Sequence, residues 1–395
     1  MKKGLLLSVV ASGILFAGGD IAPVQPVQPT VAPASCDFWG NLAFRYDAIK
    51  DDSTGADFNA EDNKVTAAIV MGVEKELGYG FGFGAELAGI VKANGKFKNR
   101  SETGEISQLY LTYKNNGTAL KIGRQTLPKT VSPWAWSDRT ATVVDHAFNA
   151  ITVVNTSLIK DTTLIGAWVH SVADGGSNIK IADDKGLFML GLINKSVANT
   201  TLSMSAYFKP KGDLEGVGYL DNGYALWASA ETKINNFDLG LQAVYARIKP
   251  LTKRVGVAAY VGTNFNGLGV KLTGAYIDDG STPLALSTTS GFWGNVGYAN
   301  EDMGAGSLSD SGKQKIVKLD LDYKLPENYG KIYGGVAYDD YSNSAVDKKI
   351  AARVGYGFKV SGIDGLVEYR YTQKTPVSGS KVKMHKIRVQ GVYKF

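Results

Sequence analysis

Few residues in this chain of 395 could carry covalent chemistry, and their spacing suits it poorly. Histidine occurs three times, at His146, His170 and His385, one per region. Asp145-His146 imitates half of a catalytic pair, a base beside the carboxylate that would orient it, but no nucleophile is placed to complete it. Cys36 is the single cysteine, which excludes both a disulfide framework and a cysteine metal site. The motifs G-x-S-x-G, H-E-x-x-H, C-x-x-C and G-x-x-x-x-G-K-[ST] are absent. Gly78, Gly80, Gly82 and Gly84 fail the G-x-G-x-x-G spacing and read as a turn entering a glycine-rich strand. The chemistry that remains is electrostatic. Arg45, Arg353, Arg370 and Arg388 are fixed cations within strand-like segments, and Asp138 and Asp145 share one long loop with Trp134 and Trp136.

The elements that must position these charges have a period of two. Met204, Ala206 and Phe208 oppose Ser205, Tyr207 and Lys209; Val317, Leu319, Leu321 and Tyr323 oppose Lys318, Asp320, Asp322 and Lys324. Ile387, Val389, Gly391, Tyr393 and Phe395 oppose Lys386, Arg388, Gln390, Val392 and Lys394. Such alternation marks strands with one apolar face. Phe148 to Val154, Leu164 to His170 and Leu187 to Ile193 alternate poorly, and their assignment as strands rests on length and flanking turns. No segment after the N-terminus approaches the run of about 18 apolar residues that a membrane helix requires.

Counting these segments predicts about 18 strands, beginning near Phe38, Val65, Phe81, Ile106, Ala119, Phe148, Thr163, Leu187 and Thr201. The rest begin near Tyr224, Phe237, Val255, Leu268, Lys315, Lys331, Ile350, Leu366 and Lys386. Tight turns (Gly78-Tyr79-Gly80, Asn115-Asn116-Gly117, Lys233 to Asn236, Asn264 to Gly267, Ser361 to Gly365) alternate with long polar loops. Among the loops are Asp51 to Asn63, Thr126 to His146, Ser171 to Lys185, Lys209 to Asn222 and Ile277 to Gly312. Short connections at one end and long ones at the other predict an all-β fold, a transmembrane antiparallel β-barrel with periplasmic turns and external loops. Aromatic residues near strand ends (Tyr46, Tyr113, Phe208, Tyr245, Tyr276, Tyr323, Tyr338, Tyr371) suit girdles at the two membrane interfaces.

The pleat then decides where the arginines point. With Phe38, Gly40, Leu42, Phe44 and Tyr46 facing lipid, Arg45 faces inward, and the same argument turns Arg353, Arg370 and Arg388 inward. An arginine facing lipid at mid-depth costs ~2–4 kcal/mol, so the opposite assignment is untenable for four at once. Their strands are the first and the last three, which closure makes neighbours, so the four are expected to form one basic wall in the lumen. The alternative is that they sit at different heights and pair singly with Glu368, Asp47 or Asp340. The loop Thr126 to His146 is expected to fold inward as a constriction braced by Trp134 and Trp136, with Asp138 and Asp145 opposite the basic wall; Ile277 to Gly312, with Phe292, Trp293, Glu301 and Asp302, is a second candidate.

Composition agrees. Glycine, 47 residues, is well above its usual ~7 % share, and tyrosine (20) outnumbers phenylalanine (15). Lys2 and Lys3, the apolar run Leu5 to Phe16 and the small residues Ala17-Gly18-Gly19 read as a secretory signal peptide over 1–19. Residues 20–35 read as a Pro-rich linker, and 36–395 as the barrel. Ala34-Ser35-Cys36 looks like a lipobox, but Pro33 precedes it and it lies far beyond the apolar run, so that reading is rejected. Without Lys2 and Lys3 the 43 basic residues fall to 41 against 37 acidic ones, a net +4 that is too mild and too dispersed for a nucleic-acid surface. Tyr393 and Phe395, apolar and aromatic in alternation, form an expected assembly signal.

The chain resembles the major outer-membrane porins of Campylobacter-type bacteria and, more distantly, OprD-like porins. The resemblance rests on Phe38-Trp39-Gly40 to Tyr46, on Gln108 to Tyr113 leading into Lys121-Ile122-Gly123-Arg124-Gln125, and on Val392-Tyr393-Lys394-Phe395. It implies a homotrimer of 18-stranded barrels in the bacterial outer membrane whose third external loop narrows the channel. It also implies membrane lipid and lipopolysaccharide as surroundings, small hydrophilic solutes as cargo and the outer-membrane assembly machinery as partner. No cofactor is expected; calcium is bound by some members, and no calcium motif can be matched here.

Overall fold

The computed structural model describes residues 36–58, 62–94, 100–127, 147–174, 177–214, 218–282, 312–326, 329–342 and 346–395. Eighteen long strands form one antiparallel wall. They are β1 (Cys36–Asp51), β2 (Lys64–Gly78), β3 (Phe81–Asn94), β4 (Arg100–Asn115), β5 (Thr118–Gln125) and β6 (Ala147–Asn155). Next come β7 (Thr162–Asp174), β8 (Leu187–Asn194), β9 (Thr200–Lys209), β10 (Gly223–Ile234), β11 (Phe237–Ile248) and β12 (Arg254–Phe265). The last are β13 (Leu268–Ile277), β14 (Lys313–Lys324), β15 (Lys331–Ser342), β16 (Val346–Val360), β17 (Ile363–Pro376) and β18 (Val382–Lys394). Each pairs with its chain neighbours, and β18 pairs with β1 from Asn41↔Lys394 to Asp51↔Met384, closing the wall. The strand count and starts agree with the alternation read from the sequence. Short additional strands (Ala56–Asp57, Ser177–Lys180, Gly212–Leu214, Gly218–Leu220) belong to the connections at one end.

The tight turns lie at the opposite end. In Tyr79-Gly80, Asn116-Gly117, Asn266-Gly267 and Ser361-Gly362 both central residues have positive φ, from 43° at Asn116 to 86° at Gly267. This is the backbone twist that a two-residue hairpin needs, and glycine and asparagine adopt it most readily.

Burial is inverted relative to a soluble protein. Phe38, Leu190, Leu226 and Leu241 stand on the outer face between 53 % and 73 % exposed, while Asp47, Glu368 and Arg388 on the inner face are at most 2 % exposed. A wall apolar outside and polar inside suits a hydrocarbon surround. All the rings assigned to girdles share the outward phase of their strands, such as Tyr245 opposite Leu226 and Tyr338 opposite Val317.

The poorly alternating segments now have a reason. Phe148, Ala150, Val169, Leu187 and Met189 face inward on β6–β8, yet they are buried in a core with Trp227, Val244 and Ile248 of β10–β11. Leu127, Ile181 and Leu220, from connections, join that core. The interior is therefore packed on this side, and its strands are apolar on both faces.

Closure extends to the last residue. Gly40 N–H donates to the Phe395 carbonyl at 2.8 Å and Phe395 N–H to the Gly40 carbonyl at 3.0 Å. A Cβ at Gly40 would collide with the Phe395 ring, which lies over the glycine. Deleting Val392 to Phe395 strips the rungs Ala43↔Val392, Leu42↔Tyr393 and Asn41↔Lys394 and opens an edge at the seam. The truncated chain is expected to lose the heat-modifiable, membrane-inserted form on gels, with Gly40→Val partly reproducing the loss. Normal insertion of the truncation would contradict the closing role of these residues.

Candidate functional site

The charged side of the interior spans β14–β18 and β1. The register sets Arg353 opposite Arg370, Arg370 opposite Lys386, Glu368 opposite Arg388, and Asp47 opposite Arg388. Arg45, Arg353, Arg370 and Arg388 thus lie on the inner faces of four contiguous strands. Each also meets a carboxylate. Asp47 accepts from Arg388 Nε at 2.6 Å and Nη2 at 3.1 Å, and from Arg45 Nε at 2.8 Å. Glu368 accepts from Arg370 Nε and from the Tyr333 hydroxyl at 2.9 Å, and lies 3.9 Å from Arg353. Arg353 also reaches Asp320 at 3.5 Å, and Lys318 sits 2.9 Å from the same carboxylate.

The arginines lie on adjacent strands, and each is paired with a carboxylate. Asp340 is not among the partners; it points outward and contacts Lys315 at 3.8 Å. Asp320, Lys318 and Lys386 belong to the same surface, and only the pleat of their own strands hinted at it. Trp134, Trp136, Asp138, Asp145 and His146 lie outside the described residues, as do Phe292, Trp293, Glu301 and Asp302.

A second arrangement, absent from the sequence reading, recurs three times on the inner face. Tyr110 covers Gly84 of the neighbouring strand, donates to Glu74, and has Lys121 Nζ 3.5 Å from its ring centroid. Tyr260 covers Gly240, donates to Glu231 at 3.1 Å, and has Lys271 at 3.7 Å. Tyr333 covers Gly355, donates to Glu368, and has the Arg353 guanidinium at 5.4 Å. In each case glycine leaves the room for a ring to lie flat on the wall, so the hydroxyl reaches a carboxylate one strand further on. The cation above the ring gains from its negative face. Tyrosines held this way keep the glutamates at fixed positions on the wall.

On the packed side the connections are tied down by backbone contacts. Ala182 N–H donates to the Asp213 carbonyl at 2.9 Å, and Ile248 N–H to Thr282 Oγ1 at 3.3 Å. The buried Arg254 guanidinium donates to the carbonyls of Asp278 and Gly312 at 3.2 and 2.8 Å. Among the described residues no group of three or more His, Cys, Asp or Glu side chains could hold a metal ion.

A closed, even-stranded antiparallel wall with lipid-facing apolar residues, aromatic rings at its edges and ionised groups inside defines the outer-membrane β-barrel class. The same fold occurs in outer-membrane channels of Pseudomonas aeruginosa. The chain is similar to the outer membrane protein OpdK (TM-score 0.64, 12 % identity, 91 % of this chain and 99 % of that one). It is also similar to OccK2 (OpdF) in complex with glucuronate (0.65, 12 %, 91 % and 98 %) and to OccK3 (OpdO) (0.62, 14 %, 91 % and 96 %). No protein-family model and no curated protein sequence matches the chain.

Removing one carboxylate from this wall leaves buried cations uncompensated, typically at ~3–5 kcal/mol. Asp47→Asn is therefore expected to lower the stability of the folded barrel by about that amount in urea titrations in lipid. Asp364→Asn, beside the exposed Lys359 and Lys394, should change it by ~1 kcal/mol or less. Equal effects would remove the energetic distinction drawn for the inner wall.

Proposed function

We propose that this protein is a passive outer-membrane channel for small hydrophilic solutes and ions, a porin and not an enzyme. The observation that carries this reading is the closed eighteen-stranded wall, apolar outside and charged inside. Barrels of 16–18 strands enclose an aqueous channel, whereas about eight strands leave an interior that side chains fill. Packing against β6–β11 moves the water-filled route toward the charged wall on β14–β18 and β1. Within the OprD-like fold, the segments Gln108 to Tyr113 and Lys121 to Gln125 favour a Campylobacter-type porin. The arginine wall lines that route. In a narrow route these cations lie within about one Debye length, ~8 Å, of a permeating ion, so they orient zwitterions and set ion preference.

A second reading, a channel selective for small carboxylates, draws on the contrast between a cationic and an apolar side of the interior. OpdK and OccK2 have been solved with vanillate and glucuronate respectively, and both ligands are carboxylates. Block of the single-channel current by such an anion, and not by a neutral sugar, would favour this reading.

Proteoliposomes carrying the folded protein are expected to admit small sugars and amino acids without an energy source, and impermeable vesicles would refute the channel. Arg353→Ala combined with Arg370→Ala removes two cations and leaves Glu368 in place. The reversal potential in a salt gradient should shift toward cations. An unchanged potential in heat-modifiable protein would place the wall away from the ion path.

A further inference from the structure

Charge on the inner face is unevenly distributed along the barrel axis. From mid-depth toward the external ends of β14–β18 and β1, the four arginines are joined by Lys318, Lys349 and Lys386. Asp47, Asp320, Asp339 and Glu368 are the carboxylates of that surface, so seven cations meet four anions. Lys374 and Asp51, at the strand ends, offset each other, and the surplus among the described residues is three positive charges.

The periplasmic end of the same inner face is organised differently. Its charges form one-to-one pairs around the mouth: Lys114 with Glu76 at 3.9 Å, Lys233 with Asp238 at 3.7 Å, and Lys331 with Asp322 at 3.9 Å. Asp364 serves Lys359 at 3.5 Å and Lys394 at 3.7 Å. The joints of Tyr110 and Tyr260 each add one glutamate and one lysine. With Asp37, Glu86 and Lys324, eight lysines there face eight carboxylates. The side chains in the mouth pairs are 43 % to 73 % exposed, so water reaches them freely.

We propose that the channel is a rectifier, passing more current when the voltage drives anions from the external to the periplasmic end than in reverse. The inference rests on the channel reading above and on the tight turns facing the periplasm. A lumen lined by surplus cations concentrates anions, so anions carry most of the current in that section. In the balanced section anions and cations share it. Anions driven from outside reach the junction faster than the balanced section removes them. Cations driven the opposite way arrive at the same junction and are turned back by the wall. Both ions accumulate, and conductance rises. With the voltage reversed, both are drawn away and the junction is depleted.

Single channels of the full-length protein in planar bilayers test this in potassium chloride. Orientation is read with biotin on Ser378→Cys in a Cys36→Ser background, because streptavidin reaches this external turn from one chamber only. At 0.1 M salt, where screening extends ~10 Å, the favoured current should exceed the reverse current by about 1.5-fold or more. At 1 M, where screening extends ~3 Å, the ratio should fall to about one. Asp238→Asn, Asp322→Asn and Asp364→Asn together give the periplasmic mouth a surplus of three positive charges, in exposed pairs whose loss the fold tolerates. This triple variant should be more anion-selective than the wild type and yet rectify less, since both sections then carry a like surplus. A wild-type channel that is ohmic at 0.1 M, or still asymmetric at 1 M, overturns the inference and leaves the channel reading standing. A triple variant that keeps the full ratio does the same. Folded protein that carries no current in any salt overturns both.

Discussion

The rest of this structure depends on the pairing of β18 with β1. In hydrocarbon no water is available to backbone N–H and C=O groups, so a sheet with a free edge is untenable and closure is obligatory. The seam is long, running from Asn41↔Lys394 to Asp51↔Met384, and the Gly40–Phe395 backbone pair extends it by one rung. The same seam brings Asp47 to Arg388, residues 341 positions apart in the chain, into hydrogen-bond contact. Closure of the backbone thus also completes the charged wall begun by the pairings of β14–β17.

Once closed, the wall separates two environments with opposite demands. Outside, a pleat phase occupied by Leu, Ile, Val and aromatic residues meets lipid. Inside, ionised side chains need partners because they are largely buried, and desolvated charges are costly unless paired. Asp47 and Glu368 meet this demand by each serving two arginines. Cations still outnumber carboxylates on this surface, with Lys318, Lys349 and Lys386 beside the four arginines. A wall that is both fixed by pairing and positive in excess is what the proposed channel would present to a solute without reorganising.

The tyrosine–glycine–glutamate arrangements solve a different problem. A glycine on a strand leaves a gap in the inner surface and a weak point in the sheet. A tyrosine ring from the next strand fills that gap and spends its hydroxyl on a carboxylate, so the gap becomes a joint. The three instances use strands far apart, β2–β5, β10–β13 and β15–β17, and each ties at least three neighbouring strands together.

The sequence by itself determined the barrel. Alternation is a local property, and lipid on one side makes a one-residue slip intolerable, so strand number, strand starts and the inward phase of Arg45, Arg353, Arg370 and Arg388 were legible without any tertiary information. The hairpins were legible for the same reason, since Asn-Gly and glycine turns announce their own backbone twist. What the local pattern could not carry is the pairing between strands. The choice of Asp320 over Asp340 as partner of Arg353 depends on which neighbours the register brings within reach. The tyrosine joints were hidden because ring, glycine and carboxylate sit on three different strands. β6–β8 alternated poorly because their inner faces meet packed chain in place of water, a distinction set by what fills the barrel and not by the strands themselves.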